Sequence, residues 1–262
     1  MTEILLRDDT RGVAILTMNA PERLNALSDA MLAALQDQID ALAKDRETRV
    51  VILKGAGKAF CAGHDLKEMQ AGRQALDGGR AYFADLFARC ARVMTGLMRL
   101  PQPVIAAPHG IATAAGCQLV ASCDLAVAAE GTRFGVNGVN IGLFCSTPMV
   151  ALTRTIPRKH AFEMLTTGQF VDTGRAEALG LINRAVPADM LDDAAWRLAE
   201  TLAGKLSPAL RVGKGLFYDQ LERGIDEAYS MAGAAMVENM MLSETEEGIG
   251  AFLEKRPPAW QA

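Results

Sequence analysis

The sequence predicts an α/β protein, and three observations carry the prediction. Short apolar runs recur at residues 50–53, 104–107 and 124–128, as expected of strands buried on both faces. Between them lie longer stretches whose apolar residues return every three or four positions, the period of a helix. The 262-residue chain is 50% hydrophobic and 22% charged with both signs mixed. A chain of that size buries roughly three quarters of its unfolded surface, so its core needs neither disulfides nor metal staples.

The elements follow in order. Residues 3–7 and 12–18 read as a strand pair around a turn at Asp8-Asp9-Thr10. Ser28 is suited to cap a helix, with Asp29 in the first turn and Met31, Leu35, Ile39 and Leu42 at helical spacing. The apolar strand at 50–53 is ended by Gly55 and Gly57. A second helix covers 80–100, with Phe83, Leu86, Phe87, Cys90, Val93, Met94 and Leu97 on one face, and Pro101 and Pro103 stop it. Strands at 104–107 and 124–128 continue the alternation, which implies parallel pairing with right-handed crossovers. After Asp189 the pattern changes. Residues 191–206, 208–221, 225–242 and 244–254 read as helices with no strand between them. Met231, Met236, Met240 and Met241 form a stripe there, read as a core stripe or as a face toward the body or another subunit.

Composition excludes several classes of function. A net charge of −4 gives no electrostatic footprint for nucleic acid or an anionic membrane. The most apolar stretch, 103–120, is interrupted by His109 and Gln118 and reads as core, not a membrane span. Residues 1–9 have neither a basic region nor a hydrophobic run of signal length, so a cytoplasmic location is expected. The five cysteines are odd in number and none pair as C-x-x-C, which reads as reduced thiols. Three histidines without an H-E-x-x-H pattern point away from a metal site. No G-x-S-x-G elbow or Walker A motif occurs, and Gly55-Ala56-Gly57-Lys58 is too short for a phosphate loop.

Two turns of small residues, each after an apolar strand, hold the chemical interest. They are Lys58 to Met69 and His109 to Val120. Small residues let a backbone approach a ligand closely, and a helix starting near Ala115 offers unpaired N–H groups to negative charge. Composition alone fits tight packing as well as it fits an oxyanion site.

These segments resemble those of the crotonase superfamily, the enoyl-CoA hydratase/isomerase family. Pro21-Glu22-Arg23-Leu24-Asn25-Ala26-Leu27 matches its N-A-L box, and Ala59-Phe60-Cys61-Ala62-Gly63-His64-Asp65-Leu66 its F-x-A-G-x-D-[IL] segment. Gly116-Cys117-Gln118-Leu119, Thr166-Thr167-Gly168, Ala176 to Ile182 and Phe252 to Arg256 continue the match over nearly the whole chain. The runs Gly63 to Glu68, Ala112 to Asp124 and Gly138 to Pro148 resemble the enoyl-CoA hydratase domain-containing subgroup. The resemblance implies a ClpP-like spiral of ββα units over residues 1–190 and a helical trimerisation region over 191–262. It further implies an acyl-CoA thioester as ligand, coenzyme A being part of the substrate with no tightly bound cofactor and no metal. The assembly it implies is a homotrimer or a dimer of trimers. Two backbone N–H groups, carried over to His64 and Ala115, would hold the thioester oxygen and stabilise an enolate. Ala115 stands where glycine is usual, which requires a negative φ. Arg23, Ala62, Asp65 and Leu66 correspond to segments that hold the nucleotide end of CoA. Lys67 and Lys255 are phosphate partners on the same basis.

The departure lies in the acids. Family hydratases flank a water with two glutamates, and here those positions are Gln118 and Gly138. An amide orients a water but does not accept its proton. Losing both acids removes a contribution typically worth 10²–10⁴-fold, so hydration is expected to be weak or altered. If the acid–base pair alone is missing, Gly138→Glu with Gln118→Glu restores it. Cys145 falls where some members place an aspartate, and it acts as a nucleophile only with a depressed pKa. The His64 side chain stands beside the expected oxyanion site, and Asn140 and Ser146 are candidates to hydrogen-bond a substrate. The rival readings are another CoA-thioester reaction, decarboxylation or thioester hydrolysis, and a non-catalytic acyl-CoA binder.

Overall fold

A computed structural model describes residues 3–261. Met1, Thr2 and Ala262, the outer ends of the N-terminal stretch and of the C-terminal region named above, lie outside the described residues. The chain opens with β1 (Leu5–Thr10) and β2 (Val13–Met18), paired antiparallel from Leu5↔Met18 to Thr10↔Val13. The turn between them is Arg11-Gly12, not Asp8-Asp9-Thr10. Both turn residues have positive φ, 49° and 74°, the requirement of a two-residue hairpin whose twist matches its strands. Asp8 and Asp9 sit within β1, and Asp9 pairs with Arg7 at 2.9 Å.

Five further strands and seven helices carry the chain to residue 179. They are α1 (Asp29–Lys44), β3 (Val50–Gly55), α2 (Leu66–Gly72), α3 (Arg80–Arg99), β4 (Val104–Ala107) and β5 (Ile111–Thr113). Then come α4 (Ala115–Ser122), β6 (Leu125–Ala129), β7 (Arg133–Gly135), α5 (Ser146–Thr155), α6 (Arg158–Thr167) and α7 (Thr173–Leu179). Ser28 caps α1 as expected, its Oγ accepting from Met31 N at 3.1 Å. After β8 (Arg184–Val186) come the helices α8 (Leu191–Ala203), α9 (Ser207–Leu221), α10 (Ile225–Met240) and α11 (Ser243–Leu253).

The main sheet runs β1-β2-β3-β4-β6-β8 and is parallel from β2 onward. A second row of pairing lies beyond the ends of its strands. It runs Leu27↔His64, Cys61↔Ala112, β5 with β7, and Phe134↔Val171. Each unit therefore repeats a scheme: a main-sheet strand, a short second-row segment, then a helix. β4–β5–α4 and β6–β7–α5 show it in full, and β2–Leu27–α1 and β3–Cys61–α2 reduce the middle strand to a bridge.

From β2 to β6 the main sheet is buried on both faces, and period-2 alternation divides its side chains cleanly. Leu16, Met18, Val51, Leu53, Val104 and Ala106 face the larger core with α1, α3 and α4. Val13, Val50, Ile52, Ile105 and Val127 face α8 through Leu191, Ala195, Ala199 and Ala203. Three alanines at i, i+4 spacing let that helix lie close on the sheet. The helix that opens the 191–262 region thus belongs to the packing of the sheet, and packing changes after Ala203. Beyond it, α9 and α10 contribute no fully buried residue, and Met236, Met240, Met241, Phe217, Tyr229 and Phe252 are exposed. The methionine stripe is therefore not a core stripe of this chain. A half-buried Lys214 pins α9 to the body, donating to Asp124 Oδ2 at 2.6 Å and to the Gln102 and Leu97 carbonyls.

Candidate active site

The second-row segments converge on a cavity of about 340 Å³. The turn after Cys61 and the start of α4 form one wall, and the segment after β7 forms the other. Eight of the candidate site residues named from the sequence line it: Ala62, His64, Leu66, Ala115, Gly138, Asn140, Cys145 and Ser146. Arg23, Asp65, Lys67, Gln118 and Lys255 do not line it. Of the two candidate hydrogen-bonding residues, Asn140 lines the cavity but donates to the Gly168 carbonyl at 3.3 Å. Ser146 also lines it, and its hydroxyl reaches the Phe144 carbonyl at 3.4 Å.

The first wall is made of backbone. Ala114 precedes α4 with φ 49° and ψ −119°, and no side chain caps the helix. A helix start leaves its first N–H groups without internal partners. Ala115 N–H is one of these, and no acceptor for it, or for the His64 N–H, is found among the described residues. Ala115 itself is not among the residues of positive φ, so alanine fits there as required; the unusual angle falls on Ala114. Close approach of Gly63 joins the two turns. A Cβ at Gly63 would lie 2.9 Å from Ala114 Cβ and 3.4 Å from Ala115 N.

The His64 ring stands edge-on to Phe87, with centroids 5.7 Å apart. Both ring nitrogens are buried without a hydrogen-bond partner among the described residues. Burial, reinforced by the Arg89 charge, pushes its pKa below the usual histidine value. The neighbouring Leu27 carbonyl and the Asp29 carboxylate oppose that shift. The imidazole is thus neutral near pH 7, and its nitrogens are sealed from water.

Asp65 is committed to structure. It caps α2 by accepting from Lys67 N at 2.9 Å and Glu68 N at 3.2 Å, and it pairs with Arg23. Arg23 also reaches Glu68 at 3.4 Å. Lys67 is exposed and has no ion-pair partner among the described residues.

The second wall holds no acid. No Asp or Glu lines the cavity among the described residues. Gln118 is buried on α4 with its Oε1 unpartnered. At Gly138 the space for a side chain is taken. A Cβ there would lie 2.3 Å from the Leu143 carbonyl oxygen and 2.8 Å from Cys145 Sγ. Cys145 Sγ accepts from Gly138 N–H at 3.4 Å, yet burial dominates and raises its pKa. Cys145 is therefore a thiol, not an activated nucleophile.

Two site residues escaped the sequence reading. Thr113 and Asn137 line the cavity, and Thr113 Oγ1 donates to Asn137 Oδ1 at 2.7 Å. The register of the short sheet, Thr113↔Gly135, brings them together. A three-residue strand leaves no periodic signal from which that register could be read. Among the described residues no cluster of three His, Cys, Asp or Glu side chains could hold a metal ion, and no helix is long and apolar enough to cross a membrane.

Comparison with known proteins gives a consistent result. The family model described as enoyl-CoA hydratase/isomerase matches residues 8–262. The chain is 43% identical over 249 residues to enoyl-CoA hydratase domain-containing protein 3, mitochondrial, of Rattus norvegicus, covering 95% of this chain and 81% of the relative. It superposes on the crystal structure of enoyl-CoA hydratase of Mycobacterium smegmatis with a TM-score of 0.95 and 54% identity, covering 99% and 100% of the two chains. The human enoyl coenzyme A hydratase domain-containing protein 3 gives a TM-score of 0.93 at 42% identity, covering 98% and 100%. The cytoplasmic expectation is corrected by these names. The rat, human and mouse relatives are called mitochondrial, so a location read from residues 1–9 does not stand.

Proposed function

The chain belongs to the enoyl-CoA hydratase/isomerase family of the crotonase fold, and on that premise we propose that its cavity binds an acyl-CoA thioester and polarises the carbonyl through two backbone donors. The family makes it a hydratase/isomerase-type enzyme whose substrates are CoA thioesters. The observation that carries the finer reading is the pairing of two unpartnered N–H groups, His64 and Ala115, on one cavity without any lining carboxylate. Such donors stabilise negative charge that develops on the thioester oxygen, each typically worth about 2.7–4 kcal/mol at a transition state. Hydration needs in addition a group that takes a proton from water. Gln118 does not supply one, and at Gly138 no side chain fits. The proposed activity is therefore enolate stabilisation with syn-hydration weak or absent.

The nucleotide end of CoA lies, in this reading, over Ala62, Leu66 and the Arg23–Asp65 pair, with Lys67 and a Lys255 contributed by assembly on its phosphates. Residues 1–190 carry the site, and 191–262 support a homotrimer or a dimer of trimers. Support for assembly comes from the exposed apolar side chains of α9, α10 and α11.

The test uses a pair of ligands: butyryl-CoA and the thioether analogue that lacks the carbonyl oxygen. The amide resonances of His64 and Ala115 should move with the thioester and stay in place with the thioether. Equal shifts with both ligands, or none with either, would overturn the oxyanion assignment. Sedimentation of the same sample reports the assembly.

A further inference from the structure

We infer that Asn137 is a specificity-determining donor, held in place by Thr113, that selects CoA thioesters whose acyl chain carries a neutral acceptor oxygen close to the carbonyl, a 3-hydroxy or 3-oxo group. This rests on the reading of the cavity as an acyl-CoA site. Asn137 begins the 3-10 turn that follows β7 and lines the cavity beside Gly138. Thr113 Oγ1 has two acceptors in range, Asn137 Oδ1 at 2.7 Å and the Gly135 carbonyl at 3.3 Å. A hydroxyl carries one proton. The shorter separation is the usual O–H···O length and is shorter than a usual N–H···O bond, so the proton goes to the amide oxygen. That choice fixes which way the amide faces. The Asn137 Nδ2 group then keeps two N–H donors with no acceptor among the described residues.

The surroundings narrow the ligand. Thr113 precedes Ala115 by two residues, so the anchored amide sits near the backbone donor proposed to hold the thioester oxygen. Met69, Phe87, Leu143 and Phe144 supply the apolar remainder of the cavity. Asn140, the other amide on the lining, donates to the Gly168 carbonyl. The Ser146 and Thr147 hydroxyls also line the cavity, and Asn137 brings its one free amide, which suits one acceptor oxygen. No charged residue lines the cavity, and a carboxylate buried there would lack a cation. A neutral oxygen is therefore favoured over a malonyl-type acid.

Calorimetric titration of the full chain with butyryl-CoA, 3-hydroxybutyryl-CoA, acetoacetyl-CoA and malonyl-CoA tests this. The two 3-oxygenated ligands should bind about tenfold more tightly than butyryl-CoA, the gain expected of one made hydrogen bond in a half-open site. Asn137→Ala should bring that ratio near one. Thr113→Val, which keeps the shape and releases the amide, should bring it partway. Equal binding of butyryl-CoA and the oxygenated ligands by the wild-type chain overturns the inference whatever the variants do. So does a ratio that survives Asn137→Ala, or tighter binding of malonyl-CoA than of either neutral ligand. Failure to bind any of the four would instead overturn the acyl-CoA reading, and this inference with it.

Discussion

The two walls of the cavity are built in different ways, and they answer differently to change in sequence. The wall at His64 and Ala115 is backbone, positioned by pairing of Leu27 with His64 and Cys61 with Ala112 and by the helix start at α4. Side chains there can vary while the donors persist. The facing wall, from Asn137 to Cys145, would need side chains of one chemical type to act on a water. Here it has amides, a thiol and a filled space. A fold that supplies an oxyanion site from its main chain keeps that capability after the acids are gone, so the reaction class can shift without loss of carbonyl binding.

The largest effect comes from an attempt to make the second wall like that of a hydratase. Gly138→Glu drives a Cβ to 2.3 Å from the Leu143 carbonyl oxygen, which is backbone and cannot rotate away. Overpacking of that kind costs on the order of 3 kcal/mol or more. Urea unfolding should show that loss. Hydration of crotonyl-CoA should not rise, even with Gln118→Glu added. This reverses the expectation that restoring two acids restores activity. A Gly138→Glu variant of wild-type stability that hydrates crotonyl-CoA would abolish the distinction between the walls.

The same contrast explains how much was legible in the sequence. The β3, β4 and β6 strands and the long helices α1 and α3 announce themselves, because burial of both sheet faces and of one helix face writes a period into the residues. Ser28 as a cap and the loss of strands after β8 were equally visible. The small sheet was not, since β5 and β7 have three residues each. Nor were α2, α5, α6 and α7, whose short lengths hold too few turns to show a stripe. The hairpin turn was misplaced because three polar residues in β1 outweighed a single Gly12. At the site, family resemblance supplied His64 and Ala115, and the sequence alone offered packing as an equal reading. The closure of the Gly138 space depends on Leu143 O and Cys145 Sγ, contacts across a loop that no local pattern encodes. The placement of Thr113 against Asn137 is of the same kind.

A smaller effect separates the His64 side chain from its backbone. The ring is buried and neutral in the folded state, with Arg89 and Asp29 the charged groups acting on it. Its folded pKa lies below the unfolded value near 6.5. The sign follows from linkage: the unfolded chain takes the proton first, so the contribution is complete above about pH 6.5 and is lost as pH falls from there toward the folded pKa. The loss can approach, at most, about 1.4 kcal/mol per pH unit. Urea unfolding at pH 7.5, 6.5 and 5.5 should show a steeper decline for the wild type than for His64→Gln. Parallel declines would mean that the ring is hydrated in solution and that this wall is less sealed than its geometry implies.

The smallest expected change sharpens the backbone wall itself. Ala114 holds φ 49° and ψ −119°, a region that L-residues other than glycine rarely occupy, at a cost of about 1–3 kcal/mol. Glycine removes that cost and adds about 0.5–1 kcal/mol of unfolded-state entropy. Set against that entropy and the lost methyl contact at Gly63, the relief should leave Ala114→Gly more stable by about 1 kcal/mol, a rise in Tm of roughly 2–4 °C for a chain of this size. The gain in stability should come with looser donors. Ala114 sets the direction of the Ala115 N–H, and its methyl packs on the Gly63 turn that carries the other donor. The preference for a thioester over its thioether analogue should fall in the variant while Tm rises. If Tm falls instead, the backbone at Ala114 is not strained. If Tm rises and the preference is kept, the donors are aimed by pairing of the second-row segments alone, and the strain at Ala114 has no part in holding the thioester oxygen.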